Sequence, residues 1–203
     1  MVSGAATAID PPIDPPIDKQ RTALLVMDYQ VGILARLGDR EEAQIERAAA
    51  VLDVARAAGL RVGYVRVAFE PADVAAVPAT NANFAAAAAG LAADAPETQV
   101  HARLAPHAGD IVVRKTRVGA FSTTDLDAQL RSAGVHTIVL AGISTSGVVL
   151  STVRDGADRD YRIVVLADGC ADFDAEVHDV LMHRVFPRQA QVVDIADLRA
   201  ALS

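Results

Sequence analysis

The sequence predicts a doubly wound α/β fold, built on a six-stranded parallel sheet with helices on both faces. Six short runs rich in apolar and β-branched residues occur along the 203 residues, and segments with helical spacing of apolar residues separate most of them. Strands and helices that alternate in this way form a parallel sheet covered on both faces. Right-handed crossovers with a single switch in winding direction give the strand order 3-2-1-4-5-6.

The predicted strands are short, and several end at a charged residue or a glycine. We predict strands over residues 22–28, 61–67, 110–115, 137–142, 161–168 and 191–195. We predict helices over residues 40–58, 125–133 and 176–186, one that follows Gly142 and ends near residue 158, and a short one at the C-terminus. Residues 29–34 are predicted to form a loop.

Two segments depart from this alternating pattern. Residues 1–20 contain the proline repeat DPPIDPPID, which excludes helix and central strand and predicts an extended arm. This arm is either a disordered tail or a contact with a partner subunit, and residues 21–203 form the single domain. The connection over residues 68–99 is long enough to be a lid, an oligomer contact or a partly disordered loop. We predict a short helix in its alanine run after Phe84.

The composition limits the possible partners. With 52% hydrophobic and 22% charged residues and a net charge of -7, the chain resembles a soluble acidic globule, which argues against nucleic-acid binding. No apolar run reaches the roughly 20 residues of a membrane-spanning helix, and the first residues lack the features of a signal peptide. The single cysteine, Cys170, suits a reducing compartment, so we expect a cytoplasmic protein with no membrane attachment.

Three strand ends carry the candidate functional residues. Asp28 ends the first strand, Lys115 ends the third, and the fourth is followed by the turn over residues 142–148. Lys115 is one of only two lysines among 19 Lys and Arg residues. Because ligands bind at the carboxyl ends of strands in open α/β sheets, these residues are expected to share one crevice. They form either an acid/base pair beside a ligand-binding turn, or a structural ion pair beside a capping turn.

The sequence lacks the common nucleotide-binding motifs. No G-x-G-x-x-G follows the first strand and no G-x-x-x-x-G-K-[ST] occurs, so we expect no nucleotide cofactor.

At these same strand ends, the chain resembles the isochorismatase-like hydrolase superfamily, which includes nicotinamidases, carbamoylsarcosine amidohydrolases and isochorismatases. The resemblance covers four blocks in the family's order: TALLVMDYQ, DIVVRKTRVGAFSTTDL, HTIVLAGISTSGVVLSTVRDGADRDY and VVLADGCAD. It implies a six-stranded parallel sheet and active-site roles for Asp28 and Lys115. It also implies a cis peptide between Ile143 and Ser144 that shapes an oxyanion-binding pocket, and a homodimer or homotetramer.

The chain departs from this family pattern at the nucleophile. The motif G-x-x-T-x-x-C-V-x-x-T aligns with Gly142, Thr145, Val149 and Thr152, so Val148 occupies the cysteine position. A valine cannot attack a carbonyl group. Cys170 is expected to pack rather than react. The remaining candidates for a replacement nucleophile are three hydroxyls, which need an adjacent base: Ser144, Ser146 and Ser151.

The resemblance to nicotinamidases does not extend to their metal. Their zinc ligands lie between and just after the first two strands, whereas the first histidine here is His101. We therefore expect no metal site. Each of the five histidines is expected to be a surface residue or to have its hydrogen bonds satisfied within the protein: His101, His107, His136, His178 and His183.

Isochorismatases cleave a vinyl ether without the cysteine. The resemblance therefore implies a reaction that Asp28 and Lys115 still permit. The chain would hydrolyse a small, anionic molecule by non-covalent chemistry, with Asp28 as acid/base and Lys115 as its electrostatic partner. Two alternatives stay open: a catalytically inactive ligand-binding or assembly protein of the same fold, and an amidohydrolase with a replacement nucleophile. The predicted substrate-binding residues are Gln30, Phe121, Ile143, Ser144, Thr145 and Val148.

Overall fold

The computed structural model describes residues 13–203 and contains a parallel sheet of six strands. In chain order the strands are β1 (Thr22–Met27), β2 (Arg61–Val67), β3 (Ile111–Lys115), β4 (Thr137–Ile143), β5 (Arg162–Ala171) and β6 (Gln191–Val193). Their order across the sheet is β3-β2-β1-β4-β5-β6, and every neighbouring pair is parallel. The predicted fold class and strand order are confirmed.

The helices lie on both faces of this sheet. They are α1 (Val31–Leu34), α2 (Glu41–Ala57), α3 (Pro71–Ala75), α4 (Leu126–Ser132), α5 (Leu150–Asp158), α6 (Ala175–Val180) and α7 (Ile195–Leu202). A π-helical turn, Thr145–Val149, leads from β4 into α5, and a second, Leu181–Val185, follows α6. Across residues 13–203, no helix is both long and apolar enough to cross a lipid bilayer.

Two apolar cores sandwich the sheet because successive residues of each strand point to opposite faces. In β1, Leu24 and Val26 pack with α2 and α7, whereas Leu25 and Met27 pack with α4 and α5. All six residues of β1 and all seven of β4 are buried, as expected for central strands of a parallel sheet. This packing fixes the carboxyl ends of β1 and β4 side by side.

The structure differs from three local predictions of helix and loop. Residues 31–34 form α1 rather than a loop, and the alanine run forms only the single 3₁₀ turn Ala88–Gly90. An isolated alanine run of this length is too short to be stable as a helix, and here Leu91 instead accepts a backbone hydrogen bond from Phe69. The segment predicted as a helix over 176–186 is helical, but the helix type changes along it, from α6 through the π-helical turn to a 3₁₀ turn at Phe186–Arg188.

The long connection over residues 68–99 packs on an apolar cluster of its own. Phe69 and Phe84 meet at 5.4 Å between ring centroids, and with Val67 and Ala88 they form a third buried cluster. Val118, three residues beyond Lys115, packs against this cluster. The connection therefore covers the carboxyl ends of β2 and β3.

The described part of the proline arm lies on its own domain. Ile13 and Ile17 are buried in the α2 side of the core, and the Arg162 guanidinium donates to the Pro16 carbonyl. Residues 13–18 therefore pack against the α2 side of their own domain. The rest of the predicted arm, residues 1–12, lies outside the described residues.

Candidate active site

The strand register brings the three predicted strand ends to one edge of the sheet. Met27 pairs with Gly142 of β4 and with Val65 of β2, and Val67 pairs with Lys115 of β3. Asp28, which follows β1, therefore lies between Lys115 and the β4–α5 turn (residues 143–149). The sheet topology, rather than nearness in sequence, creates this group.

Asp28 and Lys115 form a buried ion pair. The Lys115 Nζ lies 2.8 Å from Asp28 Oδ2, and the two side chains are only 2% and 6% exposed. Burial raises the pKa of Asp28, and the Lys115 charge opposes that rise. The carboxyl group is consequently poised to hold a proton above the pH at which an exposed aspartate would lose it.

The second oxygen of Asp28 has no partner within residues 13–203. Oδ1 is buried and has no hydrogen-bond partner among the described residues. The nearby Val67 N–H donates instead to Gln30 Oε1 at 2.8 Å. Because an unpaired buried oxygen costs about 1–3 kcal/mol, this atom is expected to hydrogen-bond to a ligand or water.

The backbone of Asp28 places the carboxylate at this position. Its φ of 59° is left-handed, a conformation that aspartate adopts more readily than most residues. Its N–H donates to the Val65 carbonyl at 2.8 Å, which anchors the residue to β2.

Gln30 braces the site instead of offering a free amide. Its Nε2 donates to the Val67 carbonyl at 2.9 Å and to the Thr98 carbonyl at 2.7 Å, so both amide hydrogens are used. These bonds tie the end of β2 to the 68–99 connection. The predicted role of Gln30 as a substrate-binding residue is therefore corrected to a structural one.

The β4–α5 turn contains four of the predicted substrate-binding residues. The Ile143–Ser144 peptide is cis. Ile143 is buried in the core at the end of β4 and Thr145 is fully buried, whereas Ser144 is partly exposed. Val148, at the position of the family nucleophile, is 2% exposed and packs in the core on the α5 side. The turn therefore presents an apolar side chain where a thiol would stand.

The Ser144 hydroxyl is a candidate replacement nucleophile, but it lacks an adjacent base. A Cβ built on Gly147 would lie 2.8 Å from Ser144 Oγ, so the hydroxyl packs against Gly147, the residue before Val148. No described side chain hydrogen-bonds to this hydroxyl. An unactivated serine is a weak nucleophile.

Two residues that the sequence analysis did not select hold the turn from the β5 side. Asp172 Oδ2 accepts a hydrogen bond from the Ser146 N–H at 2.6 Å, and its Oδ1 accepts from the Phe173 N–H. The Thr145 hydroxyl lies 2.8 Å from His178 Nδ1 on α6. Asp172 ends the family block VVLADGCAD, and this position could have marked it as a functional residue. Its bond to the Ser146 N–H could not be predicted, because it depends on where β5 ends.

Phe121 does not join this group. Its ring stacks on Tyr161, with centroids 5.7 Å apart and planes 11° from parallel, and it packs against Gly156 in the middle of α5. Gly156 in turn faces Ile138, near the start of β4 and away from Asp28. Phe121 is a core residue, and its prediction as a substrate-binding residue is wrong.

Cys170 is placed as a core thiol. It lies in β5 opposite Gly142, is buried, and its Sγ is 3.7 Å from the Leu140 carbonyl. Burial raises its pKa to about 12, so the thiolate is scarce at neutral pH. Among residues 13–203, no three His, Cys, Asp or Glu side chains are grouped so that they could hold a metal ion.

Comparison with known families agrees with this arrangement. The isochorismatase domain matches residues 22–197. The chain belongs to the isochorismatase family. It is 35% identical to the isochorismatase family protein YecD of Escherichia coli O157:H7, over 92% of this chain and 98% of YecD. It is also 34% identical to the ureidoacrylate amidohydrolase RutB of Methylorubrum extorquens, over 81% of this chain and 75% of RutB.

Solved structures of the isochorismatase family share the whole fold. An isochorismatase family protein from Burkholderia thailandensis superposes with a TM-score of 0.77 at 30% identity, over 92% of this chain and 98% of that one. The family is hydrolytic and includes amidohydrolases.

Proposed function

We propose that this protein hydrolyses a small anionic molecule by non-covalent acid/base chemistry, as in the cleavage of a vinyl ether. The observation that carries this proposal is the combination of a buried Asp28–Lys115 pair with Val148 at the nucleophile position. The chain keeps the acid and its cationic partner, and it lacks the group that would form a thioester.

In the proposed reaction, Asp28 is the general acid. Its unpaired Oδ1 supplies the proton site, and its raised pKa lets the carboxyl group keep a proton to a higher pH than an exposed aspartate would. The proton passes to the terminal carbon of the enol ether, which leaves an oxocarbenium ion. Water adds to that cation and returns a proton to Asp28, and the resulting hemiketal breaks its C–O bond to release an alcohol and a ketone.

Lys115 and the β4–α5 turn have supporting roles in this proposal. Lys115 limits the rise in the pKa of Asp28, so that the carboxyl group can both give and recover a proton. The turn begins the helical segment that continues as α5, and the dipole of that segment favours an anionic part of the substrate at the turn.

The inactive alternative is less well supported by this geometry. A protein that had lost catalysis would be expected to have an uncoupled pair, or a pocket blocked by Val148 or Phe121. The pair is coupled at 2.8 Å and Phe121 packs in the core, while Val148 is buried at the nucleophile position.

Amide hydrolysis is the second candidate, because the similar protein RutB is a ureidoacrylate amidohydrolase. It would require Ser144 or Ser146 to replace the missing thiol. Mass spectrometry of the intact protein and of its peptides during turnover of an amide would detect an acyl group on Ser144 or Ser146, and the non-covalent proposal predicts none.

The proposal can be tested by an untargeted metabolite screen. Extract is incubated with the wild type, with Asp28→Asn and with Asp53→Asn, and each mixture is analysed by mass spectrometry. Asp53 is exposed on α2 and serves as the matched control. We expect a small anion to be consumed by the wild type and by Asp53→Asn only. Equal consumption by Asp28→Asn would refute the role of Asp28.

A further inference from the structure

A separate cleft lies behind the β4–α5 turn, between α2 and α6. Its volume is about 370 Å³, at the lower end of the range for small-molecule sites. Its floor is formed by small side chains, among them Ala167, Ala171 and Cys170. Neither Asp28 nor Lys115 lines this cleft.

The two walls of the cleft carry opposite charges. Arg40 and Arg47 stand on the α2 wall, and Asp168, Asp172 and Asp179 stand on the wall formed by β5 and α6. No ion pair joins the two walls among the described residues.

Several of these groups keep free hydrogen-bonding capacity. The Arg40 guanidinium has no partner in the described part of the chain, and that of Arg47 has only a 3.5 Å contact with Gln44. On the opposite wall, Asp168 uses one oxygen for the Ile195 N–H, and the Asp179 carboxylate has no described partner. Asp172 is occupied by backbone N–H groups.

We propose that this cleft binds a small aliphatic zwitterion of the free amino-acid type. The carboxylate of such a ligand would face Arg40 and Arg47, its ammonium group would face Asp168 and Asp179, and its aliphatic part would contact the alanine floor. A simple anion would be repelled by the aspartates and a simple cation by the arginines, whereas a zwitterion complements both walls.

Binding in this cleft would act on the active site through two contacts. His178 lines the cleft and bonds to Thr145, while Asp172 lines it and accepts from the Ser146 N–H. A ligand that moves α6 or the end of β5 would therefore shift the β4–α5 turn. The cleft is an effector site in this proposal, and its occupancy does not depend on turnover at Asp28.

The test compares L-leucine with two analogues that each lack one charge. 4-Methylpentanoate keeps the carboxylate and 3-methylbutylamine keeps the ammonium group. Each compound is titrated into ¹⁵N-labelled protein, and the backbone amide signals of Thr145 and Ser146 are followed by NMR. We expect saturable shifts with leucine, and binding weaker by about tenfold or more with either analogue.

Variants locate the binding site. Arg40→Ala combined with Arg47→Ala changes two exposed residues, and it should weaken leucine binding by about tenfold or more. Arg61→Ala, an exposed arginine outside the cleft, and Asp28→Asn should leave binding unchanged. The absence of saturable shifts, equal binding of either analogue, or full binding by the double arginine variant would each overturn the proposal. Retained binding by Asp28→Asn separates this result from that of the proposed reaction.

Discussion

The Asp28–Lys115 pair should make a large cooperative contribution to stability, and a double-mutant cycle can measure it. At 2.8 Å, two unit charges attract by about 6 kcal/mol at an effective dielectric constant of about 20. Desolvation offsets much of this attraction, but removal of one partner leaves the other charge buried and alone. Each single change, Asp28→Asn or Lys115→Met, should therefore lower the free energy of unfolding by about 3–5 kcal/mol.

The double variant should recover much of that loss. In Asp28→Asn with Lys115→Met, no uncompensated charge remains, so the coupling free energy between the two sites should be about 2–4 kcal/mol. Urea unfolding at pH 7, followed by circular dichroism, gives the four free energies. These variants also separate a stabilising role of the pair from its catalytic role, because unfolding requires no substrate.

An exposed ion pair provides the matched control. Arg103 and Glu42 approach to 2.5 Å, but their side chains are 48% and 67% exposed. The equivalent cycle, Glu42→Gln with Arg103→Met, should give a coupling below about 1 kcal/mol, because solvent screens the charges. If the buried cycle gave no larger coupling than this exposed one, the account of Asp28 and Lys115 as a tightly coupled pair would be refuted.

Three further predictions concern the same site. Burial raises the pKa of Asp28 above 3.8, so the folded state binds this proton more tightly than the unfolded state does. The stability of the wild type relative to the Asp28→Asn, Lys115→Met variant should therefore fall as pH rises from about 4 through the folded-state pKa. An increase in this relative stability with pH, measured by urea unfolding, would contradict the direction of the shift. In Val148→Cys, the new thiol stands in the turn that leads into α5, where the positive end of the helical segment lowers the pKa of a thiol. It should therefore react with iodoacetamide at pH 7 faster than Cys170, whose pKa burial raises to about 12; equal labelling of the two thiols would show that the turn does not activate a nucleophile. Gln30→Leu removes three buried hydrogen bonds to backbone groups and should lower the unfolding free energy by about 3 kcal/mol. Because the Val67 N–H donates to Gln30, its hydrogen exchange should become faster in this variant. Unchanged exchange at Val67 would argue against the structural role of Gln30.

The sequence was sufficient to locate Asp28 and Lys115 because their positions follow from topology. Each ends or follows an apolar strand, and right-handed crossovers bring parallel strand ends to one edge. In the structure, the register pairs Met27 with Gly142 and Val67 with Lys115, and this brings the strand ends together. The confirmed strand order depends on the same reasoning.

The roles of individual side chains were harder to predict, because they depend on contacts between distant segments. Gln30 has the polarity of a ligand-binding residue, but its amide is used by Val67 and by Thr98, which is far away in sequence. Phe121 lies in a family block, yet Gly156 leaves space on α5 that its ring fills. Neither contact leaves a local pattern in the sequence.

The position of Asp172 depends on the length of β5. This strand was predicted to end at residue 168, but it pairs with β4 again beyond an irregularity, so that Cys170 faces Gly142 and Ala171 faces Ile143. The added residues carry Asp172 to the Ser146 amide. A change in register of this kind is specified by strand pairing, which apolar periodicity does not encode.

The most direct test of the proposed chemistry is the origin of the hydrogen on the product carbon. Once the metabolite screen has identified the substrate, the reaction is run in D₂O and the ketone is analysed early by mass spectrometry and NMR, with ketone incubated alone as the exchange control. Proton transfer from Asp28 to an enol-ether carbon predicts one solvent-derived deuterium on that carbon in every product molecule. Product without carbon-bound deuterium, or an acyl group on Ser144 or Ser146 during turnover, would contradict the proposed non-covalent chemistry.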